Sequence, residues 1–416
     1  MATSDTSRPG PLAGFRVVDL STVLAGPFCT MLLGDLGADI VKVEPPEGDA
    51  TRGWGPPWVG DAGDGTRTAA YFLAVNRNKR SLRLDLKQPA GRVILARLLA
   101  DADVVVENYR VGGFGRLGFA DDELERINPR LVHLAISGSG PDGPDRDRPG
   151  YDFVAQAVGG LMSITGAPGE VGGGPTKVGV AISDVATGLF GAVGILAGLL
   201  GRRGGGGAEV EGDGQRIDVS LLESTLAILV NQAQNAFVTG VSPGLRGNAH
   251  PNIVPYETFE TVDGAIAVAV GSERQWGRLC TAIGLPALAD DPRFATNGGR
   301  VDSRDELVPT LAARFAERSS GEWLSALDAA GIPCGPINDI VAAFAAPQAE
   351  ARAMRATVDH PTLGSIAQVG LPFELSRTPA SIRSAPPLLG ADADGILEGL
   401  GYAAAEIAAL RRDAVI

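Results

Sequence analysis

Cysteine and histidine are scarce in this chain, and their scarcity excludes two classes of site. Three cysteines, Cys29, Cys280 and Cys334, are odd in number, far apart and without a C-x-x-C spacing. That rules out a disulfide framework and leaves them as core thiols. Three histidines, His133, His250 and His360, are too distant from one another for a local zinc site, so no metal is expected. Positive charge is short as well: the net charge is −13, which argues against a nucleic-acid partner because a phosphate backbone needs a basic face. Long apolar runs are missing. The most apolar stretch, residues 189–200, is too short to span a bilayer and is broken by three glycines, so no membrane partner is expected. The start, residues 1–10, lacks the basic segment and apolar run of a signal peptide, and a cytoplasmic location is the expectation.

What is present describes a folded protein of two or three domains. The length of 416 residues exceeds one simple core. A hydrophobic content of 44% with 20% charged residues excludes disorder, and 57 glycines with 28 prolines imply many tight turns. In the first half, short β-type runs alternate with helical stretches, the pattern of a parallel sheet with crossover helices. Strands are predicted at 15–20, 39–44, 80–85, 103–107, 131–137 and 215–220, with helices at 25–36 and 89–100. No G-x-G-x-x-G follows the first strand, so neither a nicotinamide nor a flavin dinucleotide is expected.

A lone carboxylate, Asp184, stands out in the otherwise small and apolar stretch 178–188. With Ser183 it occupies the place of an N-cap ahead of the apolar helix 189–200, where a side-chain oxygen satisfies free helix N–H groups. A helix N-terminus also stabilises negative charge, which would keep such a carboxylate ionised and nucleophilic. Cap and chemical group are compatible readings. A second feature is charge: only four lysines, at 42, 79, 87 and 177, stand against 32 arginines, and two lie in the compact basic stretch 76–87. That stretch is either a solvated strand face or a seat for a small phosphorylated ligand. Glycine-rich breaks at 169–175 and 201–208 suggest, respectively, a mobile flap or anion nest and a plain turn. A long helical stretch is predicted from 221 to about 238, followed by a loop at 241–253 and a smaller α+β unit with a strand near 265–270 and helices near 273–283, 304–317 and 321–330.

Taken in order, Asp19-Leu-Ser-Thr-Val-Leu-Ala-Gly-Pro27, residues 33–44, Thr51-Arg-Gly-Trp54, Asn78-Lys-Arg-Ser81, Val106-Glu-Asn-Tyr109, Gly331-Ile-Pro-Cys-Gly-Pro336 and Pro387-Leu-Leu-Gly390 closely resemble the class III CoA-transferase family, which includes formyl-CoA, carnitine-CoA and dicarboxylate CoA-transferases and the α-methylacyl-CoA racemases. The resemblance implies an α/β fold: a nucleotide-fold large domain with a parallel sheet plus a smaller α+β domain, two chains forming an interlocked homodimer. It divides the chain into a large CoA-binding part at 1–220, a linker at 221–250, a small domain at 251–330, and a linker with C-terminal return to the large domain at 331–416.

The resemblance also implies chemistry. Asp184 takes the place of the family's catalytic aspartate, which accepts the acyl group as a mixed anhydride and then CoA as an aspartyl thioester. Coenzyme A is the co-substrate, and the partners are an acyl-CoA and a small carboxylic acid. The CoA-contact positions fall on Val23, Ala25, Leu84, Lys87, Asn108, Tyr109, Arg116 and Tyr151, with Lys87 and Arg116 meeting phosphates. Leu24 and Pro45 stand where formate-transferring members carry glutamine and arginine. Racemases of the family use a histidine in a Gly-His-Asp motif, whereas this chain has Gly150-Tyr151-Asp152. Transfer is therefore favoured over racemisation, which needs two acid–base groups. The alternatives are a racemase or epimerase using Tyr151 or Asp152, and a silent acyl-CoA-binding subunit. Arg246 and His250 are candidates either for a second substrate carboxylate or for plain loop structure.

Overall fold

A computed structural model describes residues 9–63, 65–202 and 212–416 of the chain. The start at 1–8 and most of the expected turn at 201–208 lie outside the described residues.

Six strands build the main sheet: β1 (Arg16–Asp19), β2 (Asp39–Glu44), β3 (Lys79–Arg83), β4 (Val104–Glu107), β5 (Val132–Ser137) and β6 (Arg216–Ser220). Their lateral order is β3-β2-β1-β4-β5-β6, and every pairing is parallel. Strand order reverses at β1 and β4. The connections leaving these two strands diverge to opposite faces, which opens a crevice at the carboxyl ends of the strands.

The sequence explains the layering. Strands covered on both faces read as unbroken apolar runs, and Val104, Val105 and Val106 of β4 are all fully buried. Successive side chains point to opposite faces, so Val18 and Val105 join one core while Val17, Val104 and Val106 join the other. The first core is roofed by α2 (Pro89–Ala100), whose opening proline needs no donor there, and by Ile396, Leu397, Ile407, Val415 and Ile416 from the chain's end. The second is roofed by α1 (Ala25–Asp35) and a long apolar helix, Ile182–Arg202. Each fully buried aliphatic there, such as Leu33 or Ile195, is worth about 1.5–3 kcal/mol. Cys29 and Cys280 are buried in such cores, in keeping with their reading as core thiols.

The chain divides into two compact units, one of residues 1–161, 178–233 and 347–416, the other of 162–177 and 234–346. These borders correct the expected ones. The segment taken as a linker is largely helical, with α-helices at Leu221–Ala227 and Val230–Thr239, and Leu221, Ser224 and Thr225 are buried. The single long helix predicted there is broken between them, where Val230 has φ 42. The second unit has a three-stranded antiparallel sheet, with Tyr256–Thr261 and Cys334–Pro336 on either side of Gly264–Ala269, packed on Trp276, Phe315 and Trp323. Cys334–Pro336 was expected as linker and is the sheet's third strand. The stretch 169–175 is no open flap: Thr176 N–H donates to Thr165 C=O, and a Cβ on Gly173 would meet Ala167 O at 2.2 Å. An antiparallel hairpin, Arg355–His360 with Gly364–Val369, was not foreseen.

Candidate active site

The crevice begins where β1 ends. Asp19 is fully buried there, accepts from Ser21 Oγ, Thr30 Oγ1 and Lys79 Nζ, and is held near 2: burial works to raise it, and Lys79, Lys42, Ser21 and Thr30 outweigh that. The loop that follows is fastened residue by residue. Lys42 Nζ donates to Ser21 C=O at 2.8 Å, the Asn108 amide bonds both Thr22 C=O (2.8 Å) and Thr22 N–H (3.0 Å), and Val23 N–H reaches Asp49 Oδ1 at 3.4 Å. Val23 itself lies in the left-handed region at φ 72. The loop then turns tightly into α1, close enough that a Cβ on Gly26 would meet Ser21 Oγ at 2.2 Å.

Asp184 is brought to the start of α1 by glycine. Asp184 lies in the first turn of α4 (Ile182–Arg202), beside the start of α3 (Asp152–Val158). One turn on, a Cβ on Gly188 would stand 2.7 Å from Ala25 O, and on Gly191 2.9 Å from Leu134 Cδ2, so only glycine lets α4 lie this close to α1 and β5. The Ala25 N–H thereby faces the Asp184 carboxylate. The expected cap is corrected. The helix starts at Ile182, and its capping acceptor is Asp152, whose Oδ1 takes Ser183 N–H at 2.9 Å while Oδ2 takes Gln156 Nε2 at 2.8 Å. Asp184 is not kept strongly ionised either. Burial first, and the Asp152 charge second, raise it to about 7 against the lowering effect of Ala25 N–H.

A cavity of about 480 Å³ opens over Asp184. Seven of the nine residues singled out from the sequence line it: Val23, Ala25, Asn108, Tyr109, Arg116, Tyr151 and Asp184. The other two, Leu84 and Lys87, line a second cavity of about 230 Å³ that shares Asn108 and Tyr109 with the first and includes Pro45. Tyr109 stacks on Phe114 with centroids 6.0 Å apart, and its hydroxyl is pushed up to about 12 by burial and by Glu107. Leu24 is the N-cap residue of α1 and offers no side-chain cap. Asn108 lines both cavities and also bonds Thr22 with each end of its amide, so it has a structural role beside the expected one. Among the described residues no group of three or more His, Cys, Asp or Glu side chains is placed to hold a metal ion.

Comparison with known proteins decides the family. The model of CoA-transferase family III matches residues 12–393. The chain belongs to that family. It is 41% identical to the succinate–glutarate CoA-transferase of Agrobacterium fabrum, over 93% of this chain and 95% of the relative. It is likewise 41% identical to the human succinyl-CoA:glutarate CoA-transferase, over 95% of this chain and 87% of the relative. The crystal structure of a CaiB/BaiF family protein from Brucella suis superposes with a TM-score of 0.82 at 41% identity, covering 94% of this chain and all of that one.

In this CoA-transferase, sequence reasoning missed three groups. Arg110, Arg146 and Arg148 line the large cavity beside Arg116, and the cue was the run Arg146-Asp-Arg-Pro149 just before the Gly-Tyr-Asp motif. Gly150 is needed for backbone contact, since a Cβ there would meet Gly138 Cα at 2.4 Å. Tyr71 stands near the carboxylates: burial, then Asp184, Asp152 and Asp49, push its hydroxyl up to about 12. It had no signal beyond its place in an apolar helix. In the other unit, His250 Nδ1 accepts from Asn252 N–H, its ring packs on Tyr256 at 5.2 Å, and its carbonyl accepts from Arg304. Those contacts are loop structure. Arg246 is exposed.

Proposed function

We propose that this enzyme moves CoA between a dicarboxylic acyl-CoA and a free carboxylic acid by way of Asp184. The carboxylate attacks the thioester carbonyl, forming an acyl–aspartyl anhydride and releasing CoA thiolate. The thiolate attacks the aspartyl carbonyl, giving an aspartyl-CoA thioester and the free donor acid. The acceptor carboxylate attacks that thioester to form a second anhydride and release the thiolate, which then takes the acceptor acyl group and restores Asp184. No net proton is consumed, and no step needs a metal or redox group.

The observation that carries this reading is Asp184 itself, a half-buried carboxylate at the foot of the large cavity, raised to about 7, with the Ala25 N–H against it. A carboxylate stripped of water is both more basic and more nucleophilic once ionised. Four arginines around the cavity suit CoA phosphates and a second substrate carboxylate, while Leu84, Lys87 and Tyr109 line the companion cavity for the nucleotide end. The printed activities of the relatives, on succinyl-CoA and glutarate, support a dicarboxylate. Asp152 is engaged as a helix cap, which speaks against its serving as the second base of a racemase. A homodimer in the cytoplasm completes the proposal: Leu189, Phe190, Val193 and Leu200 leave α4, the one described helix apolar enough in composition to cross a membrane, with an uncovered apolar face that a second chain would bury.

The test is chemical trapping. After incubation with an acyl-CoA panel, hydroxylamine or borohydride is expected to mark Asp184, with labelling that rises as pH passes through about 7 and is lost in Asp184→Ala, and the protein is expected to sediment as a dimer. Turnover with Asp184 unmarked would overturn the mechanism. Exchange of the acyl α-hydrogen without CoA transfer would favour the racemase, and binding without any adduct the silent subunit.

A further inference from the structure

We propose that Asn108 is a positioning residue that locks the loop before α1 into a conformation it would not keep unaided, and so fixes the Ala25 N–H against Asp184. This rests on the reading of Asp184 as acyl acceptor. The loop is strained: Val23 is β-branched, yet it holds φ 72, a region that such residues avoid. A strained residue persists only where its surroundings over-determine it. Here the surroundings are three side chains, two from β2 and the loop after it and one from the loop after β4, of unequal grip. Asp49 reaches Val23 N–H at 3.4 Å, at the limit of a hydrogen bond. Lys42 fixes only the carbonyl of Ser21. Asn108 alone takes both backbone groups of one residue, Thr22, at 2.8 and 3.0 Å, immediately before the strained position.

The consequence runs down the chain. If Val23 relaxed to negative φ, the path from Thr22 into α1 would change direction, and Ala25, two residues on, would leave Asp184. The tight seat of Gly26 on Ser21 shows how little slack the turn has. Asn108 therefore acts on Asp184 through backbone, from the opposite side of the strand-order reversal, with no contact to it.

A double-mutant cycle tests this. The wild type, Asn108→Ala, Val23→Gly and the double variant are compared for the single-turnover rate of Asp184 acylation, for KM and for amide exchange over residues 21–26. In the valine background, Asn108→Ala is expected to slow acylation about tenfold while KM changes much less, the scale set by release of one strained residue. In the glycine background the same substitution should cost less than about threefold, because glycine holds positive φ without help. Exchange should follow the same pattern. Equal losses in both backgrounds, or a loss confined to KM, would overturn the clamp. Should Asn108→Ala fail to fold, Asn108→Asp keeps the acceptor for Thr22 N–H, replaces the donor with a charged oxygen facing Thr22 C=O, and repeats the cycle. A wild type that never acquires an adduct at Asp184 sinks the functional reading whatever the exchange data show. Equal exchange losses sink the clamp whatever the adduct shows.

Discussion

Asp19 and Asp184 are carboxylates near the same crevice, and they are driven in opposite directions. Asp19 at the end of β1 is the more deeply buried and yet is held near 2, because Lys79, Lys42, Ser21 and Thr30 outweigh its burial. Asp184 is half-buried and raised to about 7, because burial and the Asp152 charge meet only one favourable neighbour, the Ala25 N–H. Depth alone does not set the charge of a buried acid; the partners do. The first carboxylate belongs to the scaffold, and the second is left under-compensated, which suits the nucleophilic role proposed for it.

The largest effect should come from stripping Asp19 of compensation. Lys79→Met removes the donor to Asp19, Pro27 C=O and Asn76, and unfolding in urea should show a loss of about 3–5 kcal/mol, the cost of an orphaned buried charge. Because the folded value of Asp19 lies below its ordinary 3.8, its stabilisation is present above about pH 4 and fades as pH falls toward 2. In Lys79→Met the folded value of Asp19 should rise, so the loss of stability on acidification below about pH 4 should shrink or reverse.

Next comes the spacing that puts Asp184 where it is. Gly188→Ala drives a methyl to 2.7 Å from Ala25 O, so a loss of about 1–3 kcal/mol is expected, together with slower labelling of Asp184. Unchanged labelling would show that the register of α4 on α1 is not what presents the carboxylate.

The smallest effect has the opposite sign. Asp184→Asn removes an acid whose folded value lies above its ordinary 3.8, so wild-type stability is penalised as pH rises through about 7 and the penalty is relieved below about 4. The variant should be more stable than wild type by about 1–2 kcal/mol at pH 8, discounted for partial exposure, and the gap should close at pH 4 in thermal melts. A destabilised Asn variant at pH 8 would break the contrast with Asp19.

The sheet was legible because parallel strands covered on both faces leave continuous apolar runs, and the predicted strand at 39–44 coincides with β2. The nine residues to which the resemblance pointed lie along the two cavities, among others such as Arg110, Arg146 and Arg148 to which it did not. What could not be read was held by distant partners. Ser183-Asp184 looks like a cap by local chemistry, but the actual acceptor, Asp152, comes from another helix, and nothing in the order of residues announces it. Asn108 followed a valine-rich strand and read as a ligand contact, and nothing in the sequence announced its further bonds to Thr22, brought beside it by strand pairing. The hairpin at 355–369 carries a half-exposed alternation, whose strands were lost among the turns of the C-terminal region.

The close backbone approach of Gly138 to Gly150 gives the loop between them a narrow neck. The residues between them leave and re-enter the fold at almost one point, so the span carrying Arg146 and Arg148 is an appendage whose length and charge can change without disturbing β5 or α3. If the cavity holds the acid as proposed, a change of acid specificity has a place to occur in this loop, with its two glycines kept.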